Sequence, residues 1–202
     1  MTQYERMVGE LPYYVDDELR RIMMNTKLLT HEYNQLSPDN LKRRTEILKK
    51  LLGSTGERVH IEQPFHCDYG HNIQVGENFY ANYNLTILDC NKVKIGDNVM
   101  CAPNVLITTA GHPIHPLSRT KSWYEYAIPV TIGNNVWLGA NVVINPGVTI
   151  GDGTVIGAGS VVTHDIPPNV VAFGNPCKVY REITDEDRDF YYKNRKFDVT
   201  DY

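Results

Sequence analysis

Ile132-Gly-Asn-Asn-Val136-Trp, Leu138-Gly-Ala-Asn-Val142-Val and Ile144-Asn-Pro-Gly-Val148-Thr run straight into Ile150-Gly-Asp-Gly-Thr154-Val, Ile156-Gly-Ala-Gly-Ser160-Val and Val162-Thr-His-Asp-Ile166-Pro. Six consecutive hexads each open on an aliphatic residue and place a small or β-branched residue fifth. A helix or a two-sided sheet would need another period. A period of six describes a short strand ending in a turn, and three such strands close one triangular coil of about 18 residues. The first-position aliphatics then stack inside a prism, coil above coil at about 4.8 Å, with backbone hydrogen bonds between coils. Gly and Asn at the second to fourth positions tolerate tight and sometimes left-handed corners.

Earlier stretches keep the rule. Ile95-Gly-Asp-Asn-Val99 and Cys101-Ala-Pro-Asn-Val105 obey it, and Val75-Gly-Glu-Asn-Phe79 obeys it loosely, so regular repeats run from about 73 to 166. The predicted organisation is a mainly β parallel β-helix over 57–183, preceded by a helical segment over 1–56 and followed by a short C-terminal helix or tail over 184–202. In the first segment, Asp16 to Gln35 carries Leu19, Ile22, Met23, Leu28 and Leu29 among charges at a loose helical period. A second helix has Ser37 as its expected N-cap, Pro38 at its first position, Leu41, Ile47, Leu48, Leu51 and Leu52 as its apolar residues, and Gly53 as its stop. Val59 to Pro64 is expected to lead, extended, into the repeats. At the other end, Thr184-Asp-Glu-Asp reads as the cap and first turn of a helix that would cover the last coil.

Composition narrows the function classes. The 202 residues carry a formal net charge of −4, with 22% charged residues, which argues against nucleic acid as the main partner. The charged N-terminus is unlike a signal peptide, and no apolar run approaches the roughly 18 residues of a membrane span. Cys67, Cys90, Cys101 and Cys177 are scattered without a C-x-x-C spacing and read as free thiols of a cytoplasmic protein.

Between Ile107 and Ile132 no hexad fits, and the segment 108–130 is expected to leave the solenoid as a long loop. Such a loop adds nothing to the stacked core, so it points to function. It contains Gly111-His112-Pro113-Ile114-His115-Pro116, and imidazole is the side chain best suited to accept a proton near neutral pH. Glu125, further along, could orient such an imidazole.

The stretches FYANYNLTILD (79–89), IGDNVMCAPNV (95–105), AGHPIHP (110–116) and the run from Pro129 to Pro176 together resemble the maltose and galactoside O-acetyltransferases, a subgroup of the hexapeptide-repeat acyltransferases. The likeness extends from Arg6-Met7 to about Ile183, and the GHPI loop and Cys67-Asp68-Tyr69-Gly70 narrow it to the sugar subgroup. The resemblance implies a left-handed β-helix and a homotrimer with sites between subunits. It implies transfer of acetyl from acetyl-CoA to a sugar hydroxyl, with no metal and no acetyl-enzyme. His112 matches the catalytic base, with Glu125 as its partner, and the backbone N–H of Ala140 matches the donor to the oxyanion. Trp137 would pack near the histidine. Asp16, Asp68 and Asn82 match sugar contacts; Cys90 stands where one branch has a further acid, which favours the maltose-like branch. Ala158 and Thr163 match the pantetheine groove, and Lys178 and Arg181 match residues that meet the nucleotide phosphates. His164 stands where relatives often have lysine.

Two other readings compete. A γ-type carbonic anhydrase on the same solenoid would draw its zinc ligands from His66, His71, His112 and His115, but would leave the GHPI loop and the basic pair unexplained. A xenobiotic or amino-acid acceptor is the nearer rival, and a non-catalytic scaffold gives no reason for the histidine-bearing loop.

Overall fold

The computed structural model describes residues 1–199 and is a left-handed parallel β-helix with helices at its N-terminal end. The strands form three faces. Face A stacks Val59–Ile61, Phe79–Ala81, Met100–Cys101, Trp137–Leu138, Val155–Ile156 and Val170–Gly174, closed by antiparallel Cys177–Glu182. Face B stacks Phe65–Cys67, Leu85–Leu88, Leu106–Thr108, Val143–Ile144 and Val161–Val162. Face C stacks Ile73–Val75, Val93–Ile95, Val130–Ile132 and Thr149–Ile150.

The first-position residues Ile132, Leu138, Ile144, Ile150, Ile156 and Val162 are all buried, and so are the fifth-position Val136, Val142, Val148, Thr154 and Ser160. Each hexad therefore sends two side chains inward, the second filling the corner. Asparagine and glycine divide the turn between them. The fourth position is left-handed at Asn78, Asn84, Asn98, Asn104, Asn135, Asn141, Gly147, Gly153 and Gly159, though not at Asp165 in the hexad that opens on Val162. The second-position glycines serve close stacking instead: a Cβ on Gly133 would lie 2.2 Å from Asp152 Oδ1, and one on Gly139 would lie 2.6 Å from the Ala158 nitrogen. Corner asparagines also form ladders, Asn78 donating to Asn98 (2.8 Å) and Asn98 to Asn135 (3.0 Å).

The 18-residue coil holds only in the later part, where Thr131 pairs with Thr149, Trp137 with Val155 and Val143 with Val161. The early coils are 20 residues long, since Val59 pairs with Phe79, Phe65 with Leu85 and Ile73 with Val93. The extra residues enter at the corner between faces B and C. The long loop leaves at the same corner, between Thr108 and Val130.

At the N-terminal end, α1 (Gln3–Val8) precedes α2 (Asp17–Gln35) and α3 (Leu41–Leu51), the last two covering the open first coil with Tyr33, Ile47, Leu48 and Leu51. The buried stripe of α2 is Leu19, Thr26, Thr30 and Tyr33, whereas Leu28 is 62% exposed. The expected start of the second helix is corrected: Asn40, not Ser37, caps α3, because Ser37 bonds the Asp39 side chain in a preceding turn. Gly53 follows the helix as expected, but its lack of a side chain serves a close approach, since a Cβ would meet His71 O at 2.2 Å.

The expected terminal helix is also corrected. Thr184 starts only a 3-10 turn, Asp185–Asp189, and the chain then forms a hairpin of Phe190–Tyr192 with Arg195–Lys196. The Asp187 carboxylate accepts the Thr184 N–H as a cap should (2.9 Å), but it is also held by Arg181, and the aromatic run Phe190-Tyr191-Tyr192 favours strand over helix. Residues 200–202 of that expected helix lie outside the described residues. Among the described residues no helix is long and apolar enough to cross a membrane.

Candidate active site

The B–C corner takes every insertion, and it assembles most of the polar side chains singled out from the sequence. The loop closes at its base through a short antiparallel pair, Gly111 with Tyr126 and Ala110 with Ala127. Glycine is required there, because a Cβ on residue 111 would lie 2.5 Å from the Tyr126 ring. His112 follows directly and is exposed, without a hydrogen bond among the described residues. His112 follows Gly111 and Glu125 precedes Tyr126, so the two flank the outer pair of this ladder. Glu125 is half-buried, and its Oε2 accepts a hydrogen bond from the Tyr13 hydroxyl at 2.9 Å. His115 stands before the short helix Pro116–Thr120 and supplies no side-chain cap.

Beside the loop lies a buried polar cluster. The Cys90 thiol is 3.8 Å from Asp68 Oδ2 and also contacts the Tyr13 hydroxyl. Burial pushes the Asp68 carboxyl above the ordinary range; Cys90 and the Lys27 ammonium counteract this, and the Glu125 charge adds to it. Asp89 is fully buried, and its Oδ1 accepts the N–H groups of Asp68 (3.0 Å) and Tyr69 (2.9 Å). Its Oδ2 has no partner among the described residues, and burial pushes the group up to about 7. Asp16 caps α2 by accepting the Leu19 N–H at 2.9 Å through Oδ1. Burial pushes the Cys90 and Cys101 thiols up to about 12 and raises Cys67 and Cys177 too, so none of the four is a thiolate nucleophile at neutral pH. Thr163 and His164, paired at 2.9 Å, sit two coils further along the same corner.

The remaining predicted residues lie elsewhere on the prism. Asn82, Ala140 and Ala158 occupy the A–B corner. At the C–A corner, the third-position N–H groups of Asp97 and Asn134 are capped from the next coil by Asn134 Oδ1 (2.8 Å) and Asp152 Oδ1 (2.6 Å). At Ala140 the residue in the capping position is Ala158, which has no acceptor, so this N–H is without a partner among the described residues. Trp137 stands on face A, 50% exposed. A cleft of about 480 Å³ runs from it past Val155 and Val171 to Arg181 and the hairpin residues Phe190 and Tyr192. Arg181 forks onto Asp187, with two contacts of 2.7 Å, while Lys178 is exposed.

One chain thus brings His112, Glu125, Asp68 and Asp16 to one region but leaves Asn82, Ala140 and Trp137 on another edge. His66 points outward from face B, whereas the His71 ring meets Tyr69 O (3.1 Å) and the Tyr4 hydroxyl (3.2 Å), so the pair that a zinc site would need is split. Tyr13 and Lys27 went unmarked in the sequence, and Tyr69 and Asp89 stood there only inside matched stretches, without a role. Asp89 carried a signal, as an acid directly after the buried strand Leu85–Leu88; Tyr13 carried none.

Comparison with known proteins is consistent along the whole chain. Residues 129–164 match the bacterial transferase hexapeptide (six repeats) model, and residues 6–56 match the maltose acetyltransferase hexapeptide capping motif. The galactoside O-acetyltransferase of Escherichia coli strain K12 is 53% identical over 197 residues, covering 97% of each chain. The structure of a maltose O-acetyltransferase from Clostridium difficile 630 superposes with a TM-score of 0.90 at 52% identity, covering 92% of this chain and 99% of that one. A galactoside acetyltransferase solved in complex with coenzyme A superposes with a TM-score of 0.94 at 47% identity, covering 98% and 100%.

Proposed function

Because the chain belongs to the maltose and galactoside O-acetyltransferases of the hexapeptide-repeat family, we propose that it transfers acetyl from acetyl-CoA to a hydroxyl of a maltose-, glucose- or galactoside-type sugar. The likeness over the whole chain, capping helices included, carries this reading. His112 takes the proton of the attacking hydroxyl as its oxygen bonds to the thioester carbonyl carbon. The Ala140 N–H, left uncapped by Ala158, receives the oxyanion. Collapse of the tetrahedral species breaks the C–S bond, and the proton on His112 passes to the departing thiolate of coenzyme A. The four protonated thiols support direct attack over an acyl-cysteine.

Asp16 and Asp68 supply carboxylate acceptors for sugar hydroxyls, and Asn82 adds an amide. Ala158, Thr163 and His164 line the path of pantetheine, with Trp137 near the thioester. Lys178 and Arg181 meet the nucleotide phosphates.

The assembly that completes such a site is a homotrimer. The outward residues of face A (Tyr80, Met100, Trp137) and face B (Leu106, Val143, Val161) are mostly apolar, whereas face C turns Gln74, Lys94, Thr131 and Thr149 to solvent. Two apolar faces per prism suit a closed ring of copies in which the B–C corner of one protomer meets the A–B corner of its neighbour. The free cysteines fit a cytoplasmic location, where acetyl-CoA is supplied.

The test is release of free coenzyme A from acetyl-CoA with maltose, glucose, a galactoside or no acceptor, using wild type and His112→Ala in parallel. Sugar-dependent release that falls at least about a hundredfold in the variant is the expected outcome. No release with any sugar would shift the acceptor to another class, and full activity of His112→Ala would remove the base assignment.

A further inference from the structure

The segment between α1 and α2 pairs with the returning leg of the loop, 112 residues later in the chain. Tyr13 donates its N–H to Glu125 O (3.0 Å) and accepts the Glu125 N–H (2.9 Å). Its hydroxyl adds a third contact, to Glu125 Oε2 at 2.9 Å. The Tyr13 ring is fully buried with Met7, Leu19, Tyr69, Cys90 and Ala127. Nearby, Asn91 fastens the same arm to the same loop, donating to Met7 O (3.2 Å) and to Ala127 O (2.9 Å). Glu125 Oε1 has no partner among the described residues, and Glu125 and His112 flank the outer pair of the ladder, Gly111 with Tyr126.

We propose that Tyr13 is a positioning residue of the transfer reaction: its hydroxyl holds one oxygen of Glu125 so that the other is turned toward His112. This rests on His112 being the base and Glu125 its orienting carboxylate. A buried tyrosine with a rigid ring fixes one oxygen far better than solvent does, so the carboxylate reaches the imidazole without first losing rotamer freedom. The N-terminal arm thereby has a role in the reaction beyond covering the first coil.

Tyr13→Phe tests this, because it retains the buried ring and both backbone bonds and removes only the hydroxyl. Activity is read as kcat and as KM for acetyl-CoA, beside Glu125→Gln and the double variant. The expected result is a fall in kcat of about tenfold, the loss of one hydrogen bond to a charged group, with KM for acetyl-CoA and Tm unchanged. Glu125→Gln should show the same split between kcat and KM, and adding Tyr13→Phe to it should cost nothing further. A kcat within twofold of wild type overturns the proposal. Additive losses in the double variant, accompanied by a lower Tm, also overturn it, because they mark Tyr13 as structural only. Full activity of His112→Ala would instead strike the reading on which the proposal stands, whatever Tyr13→Phe does.

Discussion

Ala158 matters for what it lacks. Where Asn134 and Asp152 hold third positions, their side chains cap the N–H one coil back, at 2.8 and 2.6 Å. Ala158→Asp should cap Ala140 in the same way. The expected outcome is a loss in kcat of about 10²- to 10³-fold with unchanged or higher Tm, the size of effect seen on removing an oxyanion donor. Steady-state kinetics and a melting scan on the same preparation decide it. Asp89 makes the second case at this scale. Its ordinary value is 3.8, and burial pushes it up to about 7 in the fold. Between those values the folded protein holds a proton that the unfolded chain has lost, so this group lowers stability as pH rises from about 4 to about 7. Asp89→Asn keeps an acceptor for the Asp68 and Tyr69 amides and cannot titrate. Thermal unfolding from about pH 5 to about pH 8 should show a smaller loss of Tm for the variant than for wild type; parallel curves would mean that Asp89 is ionised throughout.

The strand-and-corner unit separates two uses of glycine that look alike in sequence. Gly133 has a neighbour at 2.2 Å from its missing Cβ, whereas Gly159, at φ +74, has nothing within 4 Å. Gly133→Ala should therefore destabilise by about 1–3 kcal/mol through overpacking between coils. Gly159→Ala should cost only about 1 kcal/mol of left-handed strain. Urea midpoints of the two variants give the order, and equal midpoints would show that stacking clearance does not govern the second position. Insertions obey the same unit: the early coils and the long loop all add residues at the B–C corner, leaving the interior column unbroken from Ile61 to Val162. Extra chain at a corner leaves the register of the flanking strands intact, while an insertion within a strand would shift every later residue of that strand to the opposite face.

Across the whole molecule, the two halves of the proposed site lie on different edges of one prism. Mixing chains tests this directly. His112→Ala and Asn82→Ala are each expected to be nearly inactive alone. Co-expressed in equal amounts, they should regain about a quarter of wild-type activity, because random assembly gives that share of interfaces an intact residue from each side. No recovery in mixed trimers would place both residues in one protomer's site. Light scattering should give a trimer, and Val143→Asp on face B should yield inactive monomers with unchanged circular dichroism.

The hexads from Ile132 to Ile166 determined the solenoid without help from tertiary structure, because the period is enforced by the stacking of identical coils and every coil repeats the demand. The His112 loop was legible for the complementary reason, as the place where the period stops. Tertiary structure alone decided what gathers around that loop. Tyr13 meets Glu125, Asp89 holds the Asp68 turn, and the Ala140 N–H has no partner among the described residues because the residue one coil on is Ala158. It also decided that Thr184 opens a turn and hairpin rather than a helix, through the Arg181 fork on Asp187. Periodicity is a local property repeated along the chain, whereas these contacts join residues at separations that no local pattern encodes.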